Sequence, residues 1–272
     1  MHSDGLPDYD NQLSAFHRAF ESELRTMVGA LPLEPSMCVL DLACGDGFYT
    51  RRIAERLGPQ GSIAGVDVNP TYLGTARREA ASYDGPASIE FVEAPFDALP
   101  FPDGSFDFVW CAQSLYSLPD PALVLAHVAR VLRPGGLVAI LENDTMHQVF
   151  LPWPVGLEIP LRAAELRSIA AEENNPGKFY VGRHLLALFA SAGFAPLQMQ
   201  TIAIDRQAPF REVERELLQS YLDAVVERVT PYLAAPLLAH VHQLVDSTSP
   251  QHILRQPYLT MTWLNVLALA RR

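Results

Sequence analysis

Short apolar runs alternate with amphipathic stretches along the first half of the chain, and several of the runs end on acids. Cys38, Val39, Leu40, Asp41 and Leu42 lead into the small-residue turn Ala43-Cys-Gly-Asp-Gly47, and helical spacing follows through Phe48, Ile53, Ala54 and Leu57. A continuous apolar run closed by such a turn predicts a strand buried on both faces of a parallel sheet. Ser62 to Asp67 repeats the pattern and passes into a helix ending near Ala80. Ser88 to Glu93, Phe106 to Cys111 and Leu137 to Glu142 supply third, fourth and fifth strands, with an Asp120-capped helix before the fifth. Upstream, Leu13, Phe16, Phe20, Leu24, Met27, Val28 and Leu31 predict one amphipathic helix, stopped by Pro32 and Pro35. Downstream come an apolar helix from about Leu157 to Ala171, a helix from Gly182 to a Gly193 stop, and a strand from Pro196 to Ile204. Two further helices follow, through Val213 to Val229 and Leu233 to Leu244, and a last strand from Tyr258 to Leu269.

Alternating strands and helices predict an α/β domain with helices on both faces of the sheet. We divide it into an N-terminal helical cover (1–36), a core (37–142), an insertion (143–181), a helix and sixth strand (182–205), a helical insertion (206–256) and the last strand (257–272). The turn at Gly45 and Gly47 brings bare backbone to a helix N-terminus at the carboxyl edge of the sheet, where such folds bind ligands. Asp67, at the end of the second strand, is placed to accept hydrogen bonds from both hydroxyls of a ribose. The dinucleotide fingerprint G-x-G-x-x-G is not met, because Thr50 stands at its third glycine.

An acidic first strand followed by D-x-A-x-G-x-G, here Asp41, Ala43, Gly45 and Gly47, resembles motif I of class I S-adenosylmethionine-dependent methyltransferases, with Ala43 in place of a glycine. Leu99-Pro-Phe-Pro-Asp-Gly-Ser-Phe-Asp107 and Val131-Leu-Arg-Pro-Gly-Gly-Leu-Val-Ala-Ile140 resemble segments of the small-molecule members that act in ubiquinone and menaquinone biosynthesis. The resemblance implies a Rossmann-like sheet of seven mostly parallel strands, the seventh antiparallel and beside the fifth, with the helical insertions roofing the carboxyl edge. It implies S-adenosylmethionine as cofactor, held by Asp41, Ala43, Cys44, Gly45, Gly47, Asp67, Val68, Tyr72, Pro95, Phe96, Asp97, Gln113 and Ser114. Pro95 stands where the family carries an acid that bonds the adenine amino group, leaving the Phe96 N–H or Asp97 for that role. The implied activity is methyl transfer to a small, largely apolar or aromatic acceptor, in quinone or natural-product metabolism. His17, Tyr116, Phe150 and Trp153 are acceptor-site candidates, and Tyr9, Phe16 and His17 are candidates for the cover over the bound cofactor. His147, soon after the fifth strand, is the candidate general base, since imidazole titrates near neutral pH. Two alternatives stay open: a nicotinamide-dependent oxidoreductase, and a non-catalytic subunit that binds S-adenosylmethionine.

Composition narrows the partners. The 272 residues are 49% hydrophobic and 19% charged, a globular balance, and the net charge is -11. That charge argues against nucleic acid and anionic membranes as partners, and the small-molecule acceptor is what the resemblance implies. Cys38, Cys44 and Cys111 form no CxxC pair and suit free thiols in a reducing cytoplasm. The N-terminal residues are not those of a signal peptide, and no apolar run is long enough to span a bilayer. No metal is expected: Glu142, Asp144 and His147 lack a further ligand at telling spacing, and His240 and His242 point to different sides of a helix.

Overall fold

The computed structural model describes residues 10–117, 120–144, 148–171 and 180–272. Helices α1 (Asp10–Ala19) and α2 (Glu21–Gly29) come first. They are followed by β1 (Cys38–Leu42), α3 (Phe48–Ala54), β2 (Ser62–Asp67), α4 (Pro70–Ala80), β3 (Ser88–Glu93) and β4 (Phe106–Ala112). Next are α5 (Pro121–Val131), β5 (Leu132–Glu142), the two-residue β6 (Val149–Phe150), α6 (Val155–Ala170) and α7 (Val181–Ser191). The chain ends with β7 (Ala195–Gln207), α8 (Glu212–Val229), α9 (Ala235–Val245) and β8 (Thr260–Arg271). The strands take the order β3-β2-β1-β4-β5-β8-β6, with β7 also paired to β8. β1 is parallel to β2 and β4, β2 to β3, and β4 to β5, whereas β8 runs antiparallel to β5. The strands expected at Ser62–Asp67 and Ser88–Glu93 match β2 and β3, and the antiparallel last strand lies beside the fifth as the resemblance implies.

Two compact units emerge: a core of 21–144, 181–202 and 265–272, and a helical unit of residues up to 20, 145–180 and 203–264. In the core, Leu40, Leu42, Val66, Val109, Cys111, Val138 and Ile140 pack on one face of the sheet with Leu125, Leu185 and Phe189. Each such large side chain contributes roughly 1.5–3 kcal/mol when fully buried. Helix starts are set locally. Asn69 caps α4 by accepting from Thr71 N–H (2.9 Å), and Asp120 caps α5 by accepting from Ala122 N–H (2.9 Å). Pro70 and Pro121 follow at the first helical positions, where a missing N–H costs nothing.

In the helical unit, Phe16, Phe20 and Trp263 form an aromatic cluster with ring centroids 5.2–5.5 Å apart. Arg206 and Arg211 both donate to the carbonyl of Ala19 and so satisfy the C-terminal end of α1. Buried Glu214 accepts from both guanidinium groups, and the Arg211 backbone N–H and these side chains hold its carboxyl below the usual range despite burial. The single N-terminal helix expected from the sequence is not formed. The stripe from Leu13 to Leu31 is two helices, broken at Phe20. Glu21 and Glu23 in the first turn of α2 favour a fresh helix N-terminus, where acids meet the positive end of the dipole.

Candidate functional site at the carboxyl edge of the core

The turn between β1 and α3 is built from left-handed residues at alternate positions: Ala43 (φ 58°), Gly45 (φ 53°) and Gly47 (φ 75°). An L-residue other than glycine rarely adopts this conformation, so Ala43 stores strain at the turn. Gly47 is bare for packing. A Cβ there would stand 3.0 Å from the Ala76 Cβ and 3.1 Å from the Phe91 ring, so the residue lets α3 start close against α4 and β3. Cys44 is buried, and burial pushes its thiol well above the ordinary range, which makes it an inert packing residue.

Asp67 ties this turn to β2. Its Oδ2 accepts from the Gly45 N–H and its Oδ1 from the Asn69 N–H, both at 2.9 Å. A carboxylate offers about four acceptor sites, so capacity remains beyond these bonds. Burial raises its carboxyl above the ordinary value, and the backbone N–H groups of Asn69, Gly45 and Val68 oppose that rise. Asp41, at 1% exposure, lies deeper and accepts from the Thr50 hydroxyl at 2.5 Å. Burial, with the charges of Asp67 and Asp46 adding to it, raises the Asp41 carboxyl to about 7 against the pull of Thr50. The sequence marked Thr50 only as a missing glycine. Its hydroxyl is what a carboxyl sealed under α3 needs.

Beyond β2, Val68 is half-buried and Tyr72 is half-buried on the first turns of α4. Ala94 N–H donates to the Asp67 carbonyl, so the segment after β3 follows the end of β2. Pro95 and Asp97 are exposed there, while Phe96 is half-buried against the core cluster. After β4, Gln113 is left-handed (φ 51°), and its N–H donates to the Leu141 carbonyl at 2.7 Å. Ser114 turns its hydroxyl back to the Ala112 carbonyl, and Tyr116 packs on the core cluster.

Glu142, which sequence reasoning noted only as a weak metal neighbour, ends β5 with no exposed surface. Its Oε1 accepts from Ser114 N–H (3.0 Å) and Leu115 N–H (2.6 Å), and its Oε2 has no partner. Burial lifts its carboxyl to about 8 against the N–H donors of Leu115 and Ser114. The signal was present in sequence as an acid on the last residue of an apolar strand, the same pattern as Asp67.

All thirteen expected cofactor contacts, with Tyr116, therefore fall in the core unit on or after the carboxyl ends of β1 to β4. His17, Phe150 and Trp153 belong to the helical unit. There His17 is buried beside Phe16, Trp153 is buried, and Phe150 is half exposed and paired with Thr262. His147 and Tyr9 lie outside the described residues. Among the described residues no group of three or more His, Cys, Asp or Glu is arranged to hold a metal ion, and no helix is long and apolar enough to cross a membrane.

A parallel sheet closed by an antiparallel strand, with acids ending β1 and β2 around a left-handed turn, defines the class I methyltransferase architecture. Residues 39–136 match the family model described as a methyltransferase domain. The demethylmenaquinone methyltransferase of Lactococcus lactis is 30% identical over 207 residues, covering 71% of this chain and 80% of that protein. The ubiquinone/menaquinone biosynthesis C-methyltransferase of Hahella chejuensis is 40% identical over 104 residues, but only 38% of this chain and 42% of that enzyme are covered. Among solved structures, the YcgJ protein of Bacillus subtilis shares the fold with a TM-score of 0.59 at 16% identity, over 93% of this chain and 98% of the other. The chain belongs to the class I S-adenosylmethionine-dependent methyltransferases, and S-adenosylmethionine is the cofactor of that family.

Proposed function

We propose that the protein transfers the methyl group of S-adenosylmethionine to a small, largely apolar or aromatic acceptor of the quinol type. The observation that carries this reading is the Asp67 carboxylate at the end of β2, fixed by the Gly45 and Asn69 N–H groups, one on each oxygen, with acceptor capacity beyond these bonds. A ribose diol needs two such acceptors side by side. The acid set fits the rest of the group: Asp41 and Asp67 favour a cation nearby, and the bound cofactor supplies an electrophilic methyl on a sulfonium. The chain's part is to bind, orient and exclude water. Pro95, Phe96 and Asp97 border the end of β2, where an adenine would lie beside its ribose. Gln113 and Ser114 hold the loop after β4, with Glu142 fixing that loop from below.

The acceptor class is carried over from the relatives, whose names give quinone substrates for those enzymes. His147 is retained as a proposed proton acceptor for a hydroxyl substrate. Cys38, Cys44 and Cys111 are free thiols and fit a cytoplasmic setting. Calorimetry with S-adenosylmethionine, S-adenosylhomocysteine and NADH tests the reading. The first two are expected to bind at micromolar affinity and NADH not at all. Asp67→Ala removes charge-assisted bonds, so affinity is expected to drop about tenfold or more. An unchanged affinity in that variant, or tight NADH binding, overturns the assignment.

A further inference from the structure

Asn265 is 1% exposed, and neither the oxygen nor the nitrogen of its side-chain amide has a hydrogen-bond partner. It lies on β8, one residue before Val266, which pairs with Glu142 as the last rung of the β5–β8 ladder. Val266 packs on the cluster that holds Val138 and Ile140, so alternation turns Asn265 to the opposite face of the sheet. One residue beyond Glu142 on the facing strand is Asn143, whose side-chain oxygen is also buried without a partner. The backbone at Asn143 is held: a Cβ on Gly182 would stand 3.1 Å from its carbonyl oxygen, so α7 packs against it closely. Two amides thus come to the carboxyl end of the β5–β8 pair with three polar atoms unmet. β5 is parallel to β4 and β4 to β1, so this is the same edge of the sheet as the Gly45 turn.

Burying an amide without partners costs stability, and an apolar residue at Asn265 would avoid the cost. Its immediate neighbours on β8, Leu264, Val266 and Leu267, are apolar. A retained buried amide with unmet donors and acceptors points to a ligand that completes it. We infer that Asn265, with Asn143, binds the polar edge of the methyl acceptor and selects a hydroxylated ring over an apolar ring of the same shape. The side-chain carbonyls accept hydrogen bonds from a ring hydroxyl, and the Asn265 amide donates one to a ring oxygen. This rests on the methyl-transfer reading above and adds the residues that choose the acceptor.

The test uses the full chain saturated with S-adenosylhomocysteine, kept anaerobic, and titrated by calorimetry with 1,4-dihydroxynaphthalene or 1,4-dimethylnaphthalene. The wild type is expected to bind the diol about tenfold or more tightly over the dimethyl compound. Asn265→Leu, and separately Asn143→Leu, are expected to bring the two probes within about threefold of each other. S-adenosylhomocysteine affinity is expected to hold in both variants, and Asn265→Leu is expected to melt at or above the wild-type temperature. A variant that keeps the full diol preference, or a wild type without one, overturns the inference. If the wild type binds S-adenosylhomocysteine yet shows no diol preference, only this inference falls. If it binds no S-adenosylhomocysteine, the methyl-transfer reading falls with it.

Discussion

Two corners of one sheet edge differ in how their polar groups are met. At the β1–β2 corner, Asp67 is bonded by two backbone N–H groups and Asp41 by a threonine hydroxyl. At the β5–β8 corner, Glu142 is bonded on one oxygen only, and Asn143 and Asn265 hold three more atoms without partners. The first corner is preorganised: its carboxylates are fixed before any ligand arrives, so binding adds bonds without rearranging them. The second carries an unmet hydrogen-bonding demand, which costs stability until something fills it. The difference suits a site in which one partner is the same for the whole family and the other is particular to this chain.

The largest expected effect comes from breaking the first corner alone. Gly45 is left-handed, and a β-branched residue there is a conformational outlier. Gly45→Val should also displace the N–H that holds Asp67 Oδ2. We expect S-adenosylmethionine affinity to fall by roughly a hundredfold or more, since about 3 kcal/mol or more of strain and lost bonding falls on the binding-competent turn. Far-ultraviolet circular dichroism should stay native, because the residue lies between β1 and α3 and inside neither. A variant that folds and binds normally would show that the turn does not serve the cofactor.

The second corner yields a smaller effect with a definite pH dependence. Glu142→Ala strands the buried N–H groups of Ser114 and Leu115, at on the order of 1–3 kcal/mol each. Melting should drop by several degrees, at about 2–4 °C per kcal/mol for a chain of this size. The loss should be greatest near pH 5. Glu142 titrates near 8 when folded and near 4.5 when unfolded, so the folded state keeps a proton through that window which the unfolded state has released. Wild-type stability from this group therefore declines as pH rises from about 4.5 to 8, and the gap to the alanine variant narrows. Glu142→Gln keeps the acceptor oxygen and should recover most of the loss. Equal melting of wild type and Glu142→Ala across pH would remove Glu142 as the tie of the loop after β4.

The same contrast explains what could be read from sequence. Asp41, Gly45, Gly47 and Asp67 lie within thirty residues as strand, turn, helix and strand, so local pattern alone placed them at one edge. Glu142 and Asn265 become neighbours in the ladder only because β8 returns antiparallel beside β5. The last strand reads as apolar and β-prone, and a single amide within it carries meaning only once its partners and face are known. Thr50 was counted against a dinucleotide motif, but its hydroxyl has a partner that a linear pattern does not reveal. The break at Phe20 was hidden because a stripe at helical spacing continues across it. Only in three dimensions do Ala19, Arg206 and Arg211 show that α1 ends in a cap of its own.

The smallest effect sharpens the comparison from inside the first corner. Asp41 is satisfied by Thr50, yet its burial still opposes ionisation, and its carboxyl stands at about 7 against an ordinary 3.8. Below about pH 4 both folded and unfolded states hold the proton. Between about 4 and 7 the unfolded state has lost it and the folded state has not, so this group makes stability fall with rising pH, and above 7 the penalty is constant. Asp41→Asn keeps an oxygen for the Thr50 hydroxyl and carries no charge. Without cofactor, the variant should melt a few degrees above wild type at pH 8 and together with it at pH 4. The same substitution removes a buried negative charge that favours a cation, so S-adenosylmethionine affinity at pH 8 should weaken by several-fold while affinity for the uncharged S-adenosylhomocysteine sulfur changes less. A variant that gains stability equally at both pH values, or that weakens both ligands alike, would place the Asp41 charge outside the cofactor's field.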